Sequence, residues 1–564
     1  MIDLTTKPFN LSQNEIDYVL EQVKQMTTSE KIGQLFFVIG QDEKMVDLDE
    51  FIDKYKPGGM MFRPAPAADI KRQIKQIQNH SKYPLFFAAN LESGGNGIIS
   101  EGTWLGMPMQ MSATDNTDAA FQLGNVAGYE ANQVGCNMSF APIVDIDNNF
   151  RNPITNTRTY GSDPKRVLKM AQAQRKGLEE NHVIPVIKHF PGDGVDERDQ
   201  HLLSSINSLS AEDWSNTYGH IYKTFIDQGI STIMIGHIYQ PAWERKLQKG
   251  IADQDLRPAS ASKLLINGLL RKELGFNGLA MTDATAMVGY NVILPRKELL
   301  PATINAGVDM ILFNKNIDED YKAITEAVET GLISEERLNE AVTRILATKV
   351  AQNILTTDGK LGIDIPETLD LKSDEHLTIA ENIAKQSVTL VKDRDQLLPI
   401  SPEKTPRVRL VVLGDSDDGG FKEGGKVSDL FKEELEKAGF KVTPFQMDFH
   451  EMFEEGVCDL KEKFDLAFYV ANVETASNQT TTRLDWIHLM AANAPWFAKA
   501  IPTVFVSTAN PYHLFDVPYL STYINAYTGN TANVKAIIRK MTGQEAFEGI
   551  NPVDPTCGDF NAAL

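Results

Sequence analysis

The sequence is poor in cysteine, in long apolar runs and in positive charge, and each shortage narrows the classes of protein it can encode. It has 3 cysteines in 564 residues, at Cys136, Cys458 and Cys557, so any disulfide leaves one thiol unpaired. Cysteines that are few and far apart fit a reducing cytoplasm and exclude a closely spaced zinc cluster. We therefore expect a cytoplasmic protein with no metal ion and no other cofactor.

No apolar stretch approaches the roughly 20 residues that span a bilayer. The first residues also lack the basic start and apolar core of a signal peptide. The formal net charge is -21 at pH 7. Because nucleic acids and anionic membranes are bound by basic surfaces, the sequence predicts no nucleic-acid partner and no membrane partner. A homo-oligomer is compatible with the sequence.

The chain has enough length for two to four domains. Through its first 355 residues, eight short apolar runs alternate with amphipathic stretches such as 67–81, 117–133, 211–228 and 259–274. Strands that are apolar on both faces and separated by helices are typical of parallel βα units, so eight of them predict a closed (β/α)8 barrel. The predicted strands are 34–39, 59–63, 85–90, 138–144, 184–189, 232–237, 278–283 and 310–314.

A polar, irregular stretch around residues 356–362 predicts the end of the barrel domain. We place the barrel in residues 1–355, a linker with a connecting helix in 356–386, and a second domain in 387–564. The second domain shows apolar runs that predict parallel strands, in alternation with helix patterns. The sequence thus predicts an α/β protein, a TIM barrel followed by a smaller α/β sandwich domain. The predicted strands are 407–414, 466–471 and 503–507, and the predicted helices are 427–438, 484–492 and 534–541.

Polar residues gather at the carboxyl ends of the eight barrel runs. The active site of a (β/α)8 barrel lies at this rim, so the clustering predicts a catalytic barrel. Contact with water at strand ends explains an Asn or a Ser, but it fits a repeated His, Asp and Lys pattern less well. The residues concerned are Arg63, Asn90, Glu92, Asp145, Asp147, Lys188, His189, His237, Asp283 and Asn314.

Two of the predicted rim features suit group-transfer chemistry. Asp283 ends an apolar strand, which holds its carboxylate rigidly, as attack on a single carbon requires. Asp199 stands two residues before His201 and can orient an imidazole that donates and recovers a proton near neutral pH. The simpler alternatives are a capping Asp on a strand and a solvated loop with incidental histidines.

Several segments resemble family 3 of the glycoside hydrolases and, within it, the β-N-acetylglucosaminidases of the bacterial cell-wall recycling type. The resemblance covers about residues 30–355 well, and the second domain less specifically. It is carried by residues 188–194 (KHFPGDG), 199–201 (DQH) and 281–283 (MTD), with further similarity at 141–146 (APIVDI) and 158–164 (RTYGSDP).

This resemblance implies a retaining exo-β-N-acetylglucosaminidase that removes terminal β-linked N-acetylglucosamine through a covalent glycosyl-enzyme intermediate. It implies that Asp283 is the nucleophile, that His201 is the acid/base and that Asp199 is the partner of His201. The expected substrate is a small sugar or oligosaccharide.

The resemblance also implies that Lys188, His189 and Arg158 hydrogen-bond the sugar. Two positions depart from the family pattern. Asn90 stands where the family usually has an Asp before its Glu-Gly-Gly, so an uncharged amide would bind the outer sugar hydroxyls there. Asp193 stands where a His often follows the Pro-Gly pair. With Asn90 in that place, glucose as the sugar, and hence a β-glucosidase, stays open.

The predicted acid/base leads to a second hypothesis about the acceptor. A carboxylate acid/base repels an approaching anion, whereas a neutral His201 does not. Inorganic phosphate is therefore an alternative acceptor to water, and a β-N-acetylglucosaminide phosphorylase is an alternative activity.

Two readings from other classes remain. A metal-dependent barrel hydrolase is suggested by Lys188, His189, His237 and Asp283 at strand ends. Such sites commonly need a His-x-His pair on the first strand, and residues 34–40 contain no histidine. A sugar-binding barrel without catalysis would keep the motifs and lack turnover.

Overall fold

The computed structural model describes residues 2–40, 47–415, 426–449 and 453–563. The chain divides into two compact units. The first unit comprises Met1–Thr103, Ala120–Asn149 and Val167–Ser373, and the second comprises Trp104–Ala119, Phe150–Arg166 and Asp374–Leu564. Two segments from within the first 355 residues thus group with the C-terminal part. The domain limits at residues 355 and 386 stay a prediction.

The first unit contains a parallel barrel of eight strands, one at each predicted run, so the predicted fold class is confirmed. Neighbours in the sheet follow chain order from β8 through β1 to β7, and a parallel bridge between Met281 and Met310 joins the two end strands. The strands are β1 Phe36–Ile39, β2 Gly59–Met61, β3 Phe86–Ala89, β4 Met138–Ser139, β5 Ile184–Phe190, β6 Thr232–Ile235, β7 Leu279–Thr282 and β8 Ile311–Leu312.

The barrel strands are buried on both faces, because helices cover the outside and side chains fill the inside. Up to residue 355, the helices are Gln13–Gln25, Thr28–Gln34, Leu48–Tyr55, Ala67–His80, Pro108–Ala113, Thr117–Gln133, Pro164–Glu180, Ala211–Trp214, His220–Asp227, Pro241–Leu247, Val288–Asn291, Arg296–Ala306, Ile317–Glu329 and Glu335–Ala351. Of these, Pro108–Ala113 belongs to the second unit. No helix among the described residues is long and apolar enough to cross a membrane.

Two of the predicted α-helices contain π-helical segments. Within the predicted helix 211–228, the residues Ser215–Gly219 form a π-helical turn. The predicted helix 259–274 begins with a 3-10 turn at Ala259–Ala261 and continues as a π-helix at Leu264–Glu273. The spacing of apolar residues does not distinguish these patterns from an α-helix, because all of them bury one face of the segment.

The second unit contains a six-stranded sheet in the order β9-β14-β13-β12-β10-β11, parallel except that β9 runs antiparallel to β14. Alternate residues of β12 enter two separate apolar clusters, as expected for a sheet covered on both faces. The strands are β9 Thr389–Asp393, β10 Arg407–Leu413, β11 Lys441–Pro444, β12 Leu466–Ala471, β13 Thr503–Ser507 and β14 Thr522–Asn525, and the helices are Asp374–Ser387, Ser428–Lys437, Val457–Lys463, Thr531–Met541 and Phe560–Ala563.

The predicted helix 484–492 is wrong, because these residues form turns. Leu484 is buried, whereas Leu489 and Met490 are 41% and 71% exposed. The segment therefore has no continuous apolar face to pack against the sheet, and packing is what stabilises a short helix.

Candidate active site

Asp283 follows strand β7 directly, and its backbone is fixed by a hydrogen bond from its N–H to the carbonyl of Ile235, at 2.8 Å. The Oδ1 atom accepts a hydrogen bond of 2.7 Å from the N–H of Ala284. The Oδ2 atom is buried and has no hydrogen-bond donor within the part of the chain that the structure describes. One carboxylate oxygen of Asp283 is thus held by the backbone, while the other makes no hydrogen bond to the described residues.

Asp283 is ionised over most of the pH range. Burial raises the pKa of its carboxyl, but the charges of His189, His237 and His201 outweigh burial and lower the pKa to about 2. Burial also lowers the pKa of His237 to about 4, so this imidazole is neutral at pH 7. The Asp283 carboxylate is also stabilised by the hydrogen bond from the N–H of Ala284, and the imidazole of His189 lies beside it.

His189 connects two carboxylates at the end of strand β5. Its Nδ1 lies 2.6 Å from Oδ2 of Asp145, and its Nε2 lies 3.7 Å from Oδ2 of Asp283. Asp145 also accepts hydrogen bonds from the N–H groups of His189 and Asp193, at 3.1 and 2.8 Å. Because a carboxylate can only accept, Nδ1 carries the proton, and the orientation of the ring is set by Asp145.

His201 and Asp199 form the predicted pair. Nδ1 of His201 lies 2.7 Å from Oδ1 of Asp199, which also accepts from the N–H of His201 at 2.9 Å. The side chain of Asp199 is fully buried, whereas that of His201 is 23% exposed. The carbonyl of His201 accepts from the N–H of Val288, five residues after Asp283. The structure therefore brings this pair to the same rim as Asp283, although the roles of these residues stay a prediction.

Lys188 forms a buried ion pair with Glu92, with its Nζ 2.6 Å from Oε1, and the two side chains are 3% and 7% exposed. Nζ of Lys188 also donates to Oδ1 of Asn90 at 3.4 Å. The end of strand β5 and the loop after strand β3 thus supply a lysine, a carboxylate and an amide to one polar group. Lys188 and Asn90 remain predicted sugar ligands.

Arg158 belongs to the second compact unit. It ends the 3-10 helix Asn156–Arg158, and one guanidinium nitrogen donates to the carbonyl of Ile154 at 3.1 Å. Its predicted contact with the sugar stays a prediction.

The remaining rim residues have different surroundings. Arg63 and Asn314 line a cavity of about 980 Å³ at the ends of strands β1, β2 and β8. His237 is fully buried, with Nδ1 2.9 Å from the hydroxyl of Ser260 and Nε2 3.1 Å from the carbonyl of Ala284. Since a carbonyl only accepts, Nε2 of His237 carries the proton, and Nδ1 accepts from Ser260.

Sequence reasoning marked Asp145 and Glu92 as rim residues but assigned no role to either. Their place at the ends of barrel strands was the available signal, and the structure gives each a basic partner, His189 and Lys188. Nothing in the sequence indicated that Ser260 would contact His237. Among the described residues, no group of three or more His, Cys, Asp or Glu side chains is arranged to hold a metal ion.

The sequence matches a known family. The model of the glycosyl hydrolase family 3 N-terminal domain matches residues 27–348. A beta-N-acetylglucosaminidase/beta-glucosidase from Cellulomonas fimi is 41% identical over 572 residues, with 100% of each chain covered.

Solved structures give the same result. The structure of beta-glucoside phosphorylase BglX bound to 2FGlc has a TM-score of 0.93 and 43% sequence identity, and 99% of each chain is covered. A glycoside hydrolase family 3 beta-N-acetylglucosaminidase from Paenibacillus sp. str. FPU-7 has a TM-score of 0.79, with 95% of this chain and 100% of that chain covered. At 23% identity the second likeness concerns the fold alone. The family match over the barrel and the full-length relatives together show that this chain belongs to glycosyl hydrolase family 3 and is a glycoside hydrolase.

Proposed function

We propose that the protein is a retaining exo-acting β-glycosidase that releases terminal β-linked N-acetylglucosamine through a covalent intermediate on Asp283. The observation that carries the proposal is Oδ2 of Asp283, a buried atom of an ionised carboxylate with no hydrogen-bond donor among the described residues. An oxygen that makes no hydrogen bond keeps its lone pairs for attack on carbon. The His201–Asp199 pair at the same rim supplies the second group that double displacement needs.

In the first step, Oδ2 of Asp283 attacks the anomeric carbon and the bond to the leaving oxygen breaks. Nε2 of His201 gives its proton to that oxygen, and the aglycone leaves as an alcohol. Asp199 holds Nδ1 of the same ring and stabilises the charge that the imidazole carries before the transfer. The product of this step is a glycosyl ester of Asp283.

In the second step, the neutral His201 removes a proton from water as the water oxygen attacks the anomeric carbon. The bond to Asp283 breaks, the carboxylate is restored, and the sugar leaves with the configuration of the substrate. No metal ion or cofactor takes part in either step.

For the sugar, we propose that Lys188, Asn90 and His189 bind hydroxyl groups. Support comes from their position, since Nζ of Lys188 contacts Oδ1 of Asn90, and His189 lies beside Asp283. The relative from Cellulomonas fimi carries both N-acetylglucosaminidase and glucosidase in its name. We therefore propose β-glucosides as a second class of substrate.

Phosphate as the acceptor is a second candidate function. It is favoured by the identity of the acid/base, because a neutral imidazole does not repel a phosphate anion as a carboxylate does. The 43% identical solved structure carries the name of a beta-glucoside phosphorylase. In this reaction a phosphate oxygen replaces water in the second step, and the product is a sugar 1-phosphate.

One set of assays tests these proposals. The purified protein is incubated with aryl β-N-acetylglucosaminide or aryl β-glucoside, with and without phosphate, and the sugar products are separated. Free sugar as the product supports hydrolysis, and sugar 1-phosphate supports phosphorolysis. The Asp283→Asn variant should lose at least about 10³-fold in kcat on either sugar. Covalent trapping with a 2-fluoro sugar on a residue other than Asp283 would contradict the mechanism.

We also propose that the enzyme works in the cytoplasm in the recycling of cell-wall sugars. All three cysteines are free thiols in the structure, as expected for a reducing compartment. Fractionation of the source cells, with activity measured in each fraction, tests the location. Activity found only outside the cytoplasmic membrane would contradict it.

A further inference from the structure

Gln200 stands between the two residues of the proposed acid/base pair, Asp199 and His201. The side chains of Asp199 and His201 meet each other, whereas the side chain of Gln200 makes other contacts and is fully buried. A fully buried amide must satisfy a donor and an acceptor, so its contacts show what fixes this part of the loop.

The amide of Gln200 contacts two neighbouring elements of the rim. Its Oε1 accepts a hydrogen bond of 2.8 Å from the N–H of His237, after strand β6. Its Nε2 donates to Oδ2 of Asp193 at 3.4 Å, in the loop after strand β5. The N–H of Asp193 in turn donates to Asp145, the residue that orients His189. Gln200 thus ties its own loop to the ends of two barrel strands.

A series of hydrogen bonds also connects Gln200 with Asp283, the proposed nucleophile. The ring of His237 donates from Nε2 to the carbonyl of Ala284, and the N–H of Ala284 donates to Oδ1 of Asp283. A change in the position of the His237 backbone therefore reaches the Asp283 carboxylate through two hydrogen bonds. Gln200 contacts His237 at the start of this path.

The backbone of Gln200 is also packed closely against the segment after strand β7. A Cβ atom added to Gly289 would lie 2.1 Å from the carbonyl oxygen of Gln200, so only glycine fits at this contact. The preceding residue, Val288, donates its N–H to the carbonyl of His201 at 2.9 Å. The loop of the acid/base and the segment after the nucleophile are therefore in direct contact at Gln200 and at His201.

We propose that Gln200 is a positioning residue that holds the His201–Asp199 pair in register with Asp283, so that His201 delivers its proton to the leaving oxygen. The proposal rests on the roles given above to Asp283 and His201. Gln200 does not touch the substrate and acts through the loop and through His237. Since a displacement of about 1 Å costs a reacting pair on the order of 10² in rate, loss of the amide should weaken proton transfer.

The test compares leaving groups that differ in their need for a proton. A 2,4-dinitrophenyl group leaves without protonation, whereas a 4-methylphenyl group needs a proton from the acid. The test variant is Gln200→Met, which keeps the length of the side chain and removes both hydrogen bonds. The measured quantity is kcat/KM on both glycosides of N-acetylglucosamine, or of glucose if that sugar is preferred.

Gln240 provides a matched control. It is also a fully buried glutamine after strand β6, and its Oε1 also accepts from a backbone N–H, that of Trp243, at 2.9 Å. Its Nε2 donates to the carbonyl of Leu209. None of these contacts is with the His201–Asp199 pair or with Asp283. The Gln240→Met variant therefore reports the cost of losing a buried amide at this rim.

We expect Gln200→Met to lose about 30- to 100-fold in kcat/KM on the 4-methylphenyl glycoside and less than about threefold on the 2,4-dinitrophenyl glycoside. Gln240→Met should change both values by the same factor. Equal losses on the two glycosides for Gln200→Met, or the same unequal losses for Gln240→Met, would overturn the inference. If Gln200→Met does not fold, Gln200→Asn is measured by the same criterion.

Failure of the inference can be told apart from failure of the proposed function. Trapping of the wild type with a 2-fluoro sugar is run beside the kinetics. Label on Asp283 together with equal losses for Gln200→Met removes only the positioning role. Label on another residue removes the proposed mechanism, and the role of Gln200 with it.

Discussion

One imidazole, that of His189, bridges two carboxylates: Nε2 lies 3.7 Å from Oδ2 of Asp283, and Nδ1 lies 2.6 Å from Oδ2 of Asp145. Asp145 is 1% exposed, so its contact with His189 is made away from water. A buried, charge-assisted hydrogen bond of this kind fixes the ring more firmly than a neutral one. The position of the imidazole beside the nucleophile is therefore set by a residue that does not contact Asp283.

The Asp145→Asn variant tests this relationship. The amide has no charge and can present its NH2 group to Nδ1, so His189 should turn or change its tautomer. We expect kcat/KM on an aryl glycoside to fall on the order of 10²-fold, because the imidazole beside Asp283 is misplaced. The melting temperature of the variant is measured in parallel. A value of kcat/KM within threefold of the wild type, with the fold intact, would show that Asp145 does not position His189.

The ion pair between Lys188 and Glu92 should matter for stability as well as for sugar binding. Lys188→Met removes the lysine that pairs with the carboxylate of Glu92, a residue that is 5% exposed. Removal of one partner from a buried pair costs about 3–5 kcal/mol in the free energy of unfolding. The double variant Lys188→Met with Glu92→Gln should recover part of this loss. Chemical unfolding of the wild type, of Lys188→Met, of Glu92→Gln and of the double variant gives the four free energies of this double-mutant cycle.

Lys54→Met is the control for that cycle. Lys54 pairs with Asp318 at the surface, where the two side chains are 61% and 66% exposed. Water screens such a pair, so its loss should leave the unfolding midpoint almost unchanged. Equal effects of Lys188→Met and Lys54→Met would contradict the importance of burial at the Lys188 site.

The barrel and the position of Asp283 could be predicted because both depend on local patterns. A strand buried on both faces is a short apolar run whatever its neighbours, and a strand end is visible where the run stops. The pairs His189–Asp145 and Lys188–Glu92 could not be predicted, since their members are 44 and 96 residues apart. Whether such residues meet depends on strand order and on side-chain direction, which a single sequence does not contain.

Asp309 provides a prediction about the opposite end of the barrel. It precedes strand β8 and is fully buried, and its carboxylate accepts from Arg271, Arg337 and Arg344 at 2.8, 2.8 and 3.3 Å. Burial raises the pKa of Asp309, but the three guanidinium groups outweigh it and lower that pKa. The amino-terminal ends of barrel strands lie away from the catalytic rim. The charge balance at Asp309 should therefore affect the stability of the fold and not catalysis.

We therefore expect Asp309→Asn to reduce the free energy of unfolding by about 3–5 kcal/mol, since three buried or half-buried arginines lose a shared carboxylate. At a temperature well below the melting point, kcat/KM should stay within about twofold of the wild type, because no catalytic atom is near. Urea unfolding and an aryl glycoside assay on the same sample measure both. A large loss of kcat/KM with unchanged stability would contradict this separation.

The last prediction concerns pH and two buried histidines, one in each unit. Burial lowers the pKa of His237 and of His513 to about 4, below the value of about 6.5 that an exposed imidazole has in the unfolded chain. As the pH falls from 6.5 towards 4, the unfolded chain takes up protons that the folded protein does not, so the free energy of unfolding decreases. This difference in pKa between the folded and the unfolded chain corresponds to about 3 kcal/mol for each histidine.

His513 allows a test outside the candidate active site. Its Nδ1 lies 3.0 Å from the hydroxyl of Ser507, and its Nε2 has no hydrogen-bond partner among the described residues. Burial lowers the pKa of His513 and outweighs the charge of Asp516, which raises that pKa. In His513→Gln the side chain has no proton to gain in this range. The melting temperature of the variant should therefore fall less than that of the wild type between pH 7 and pH 5, whatever its value at pH 7. Parallel melting curves across this range, with the same slope for both proteins, would show that His513 is already protonated in the fold.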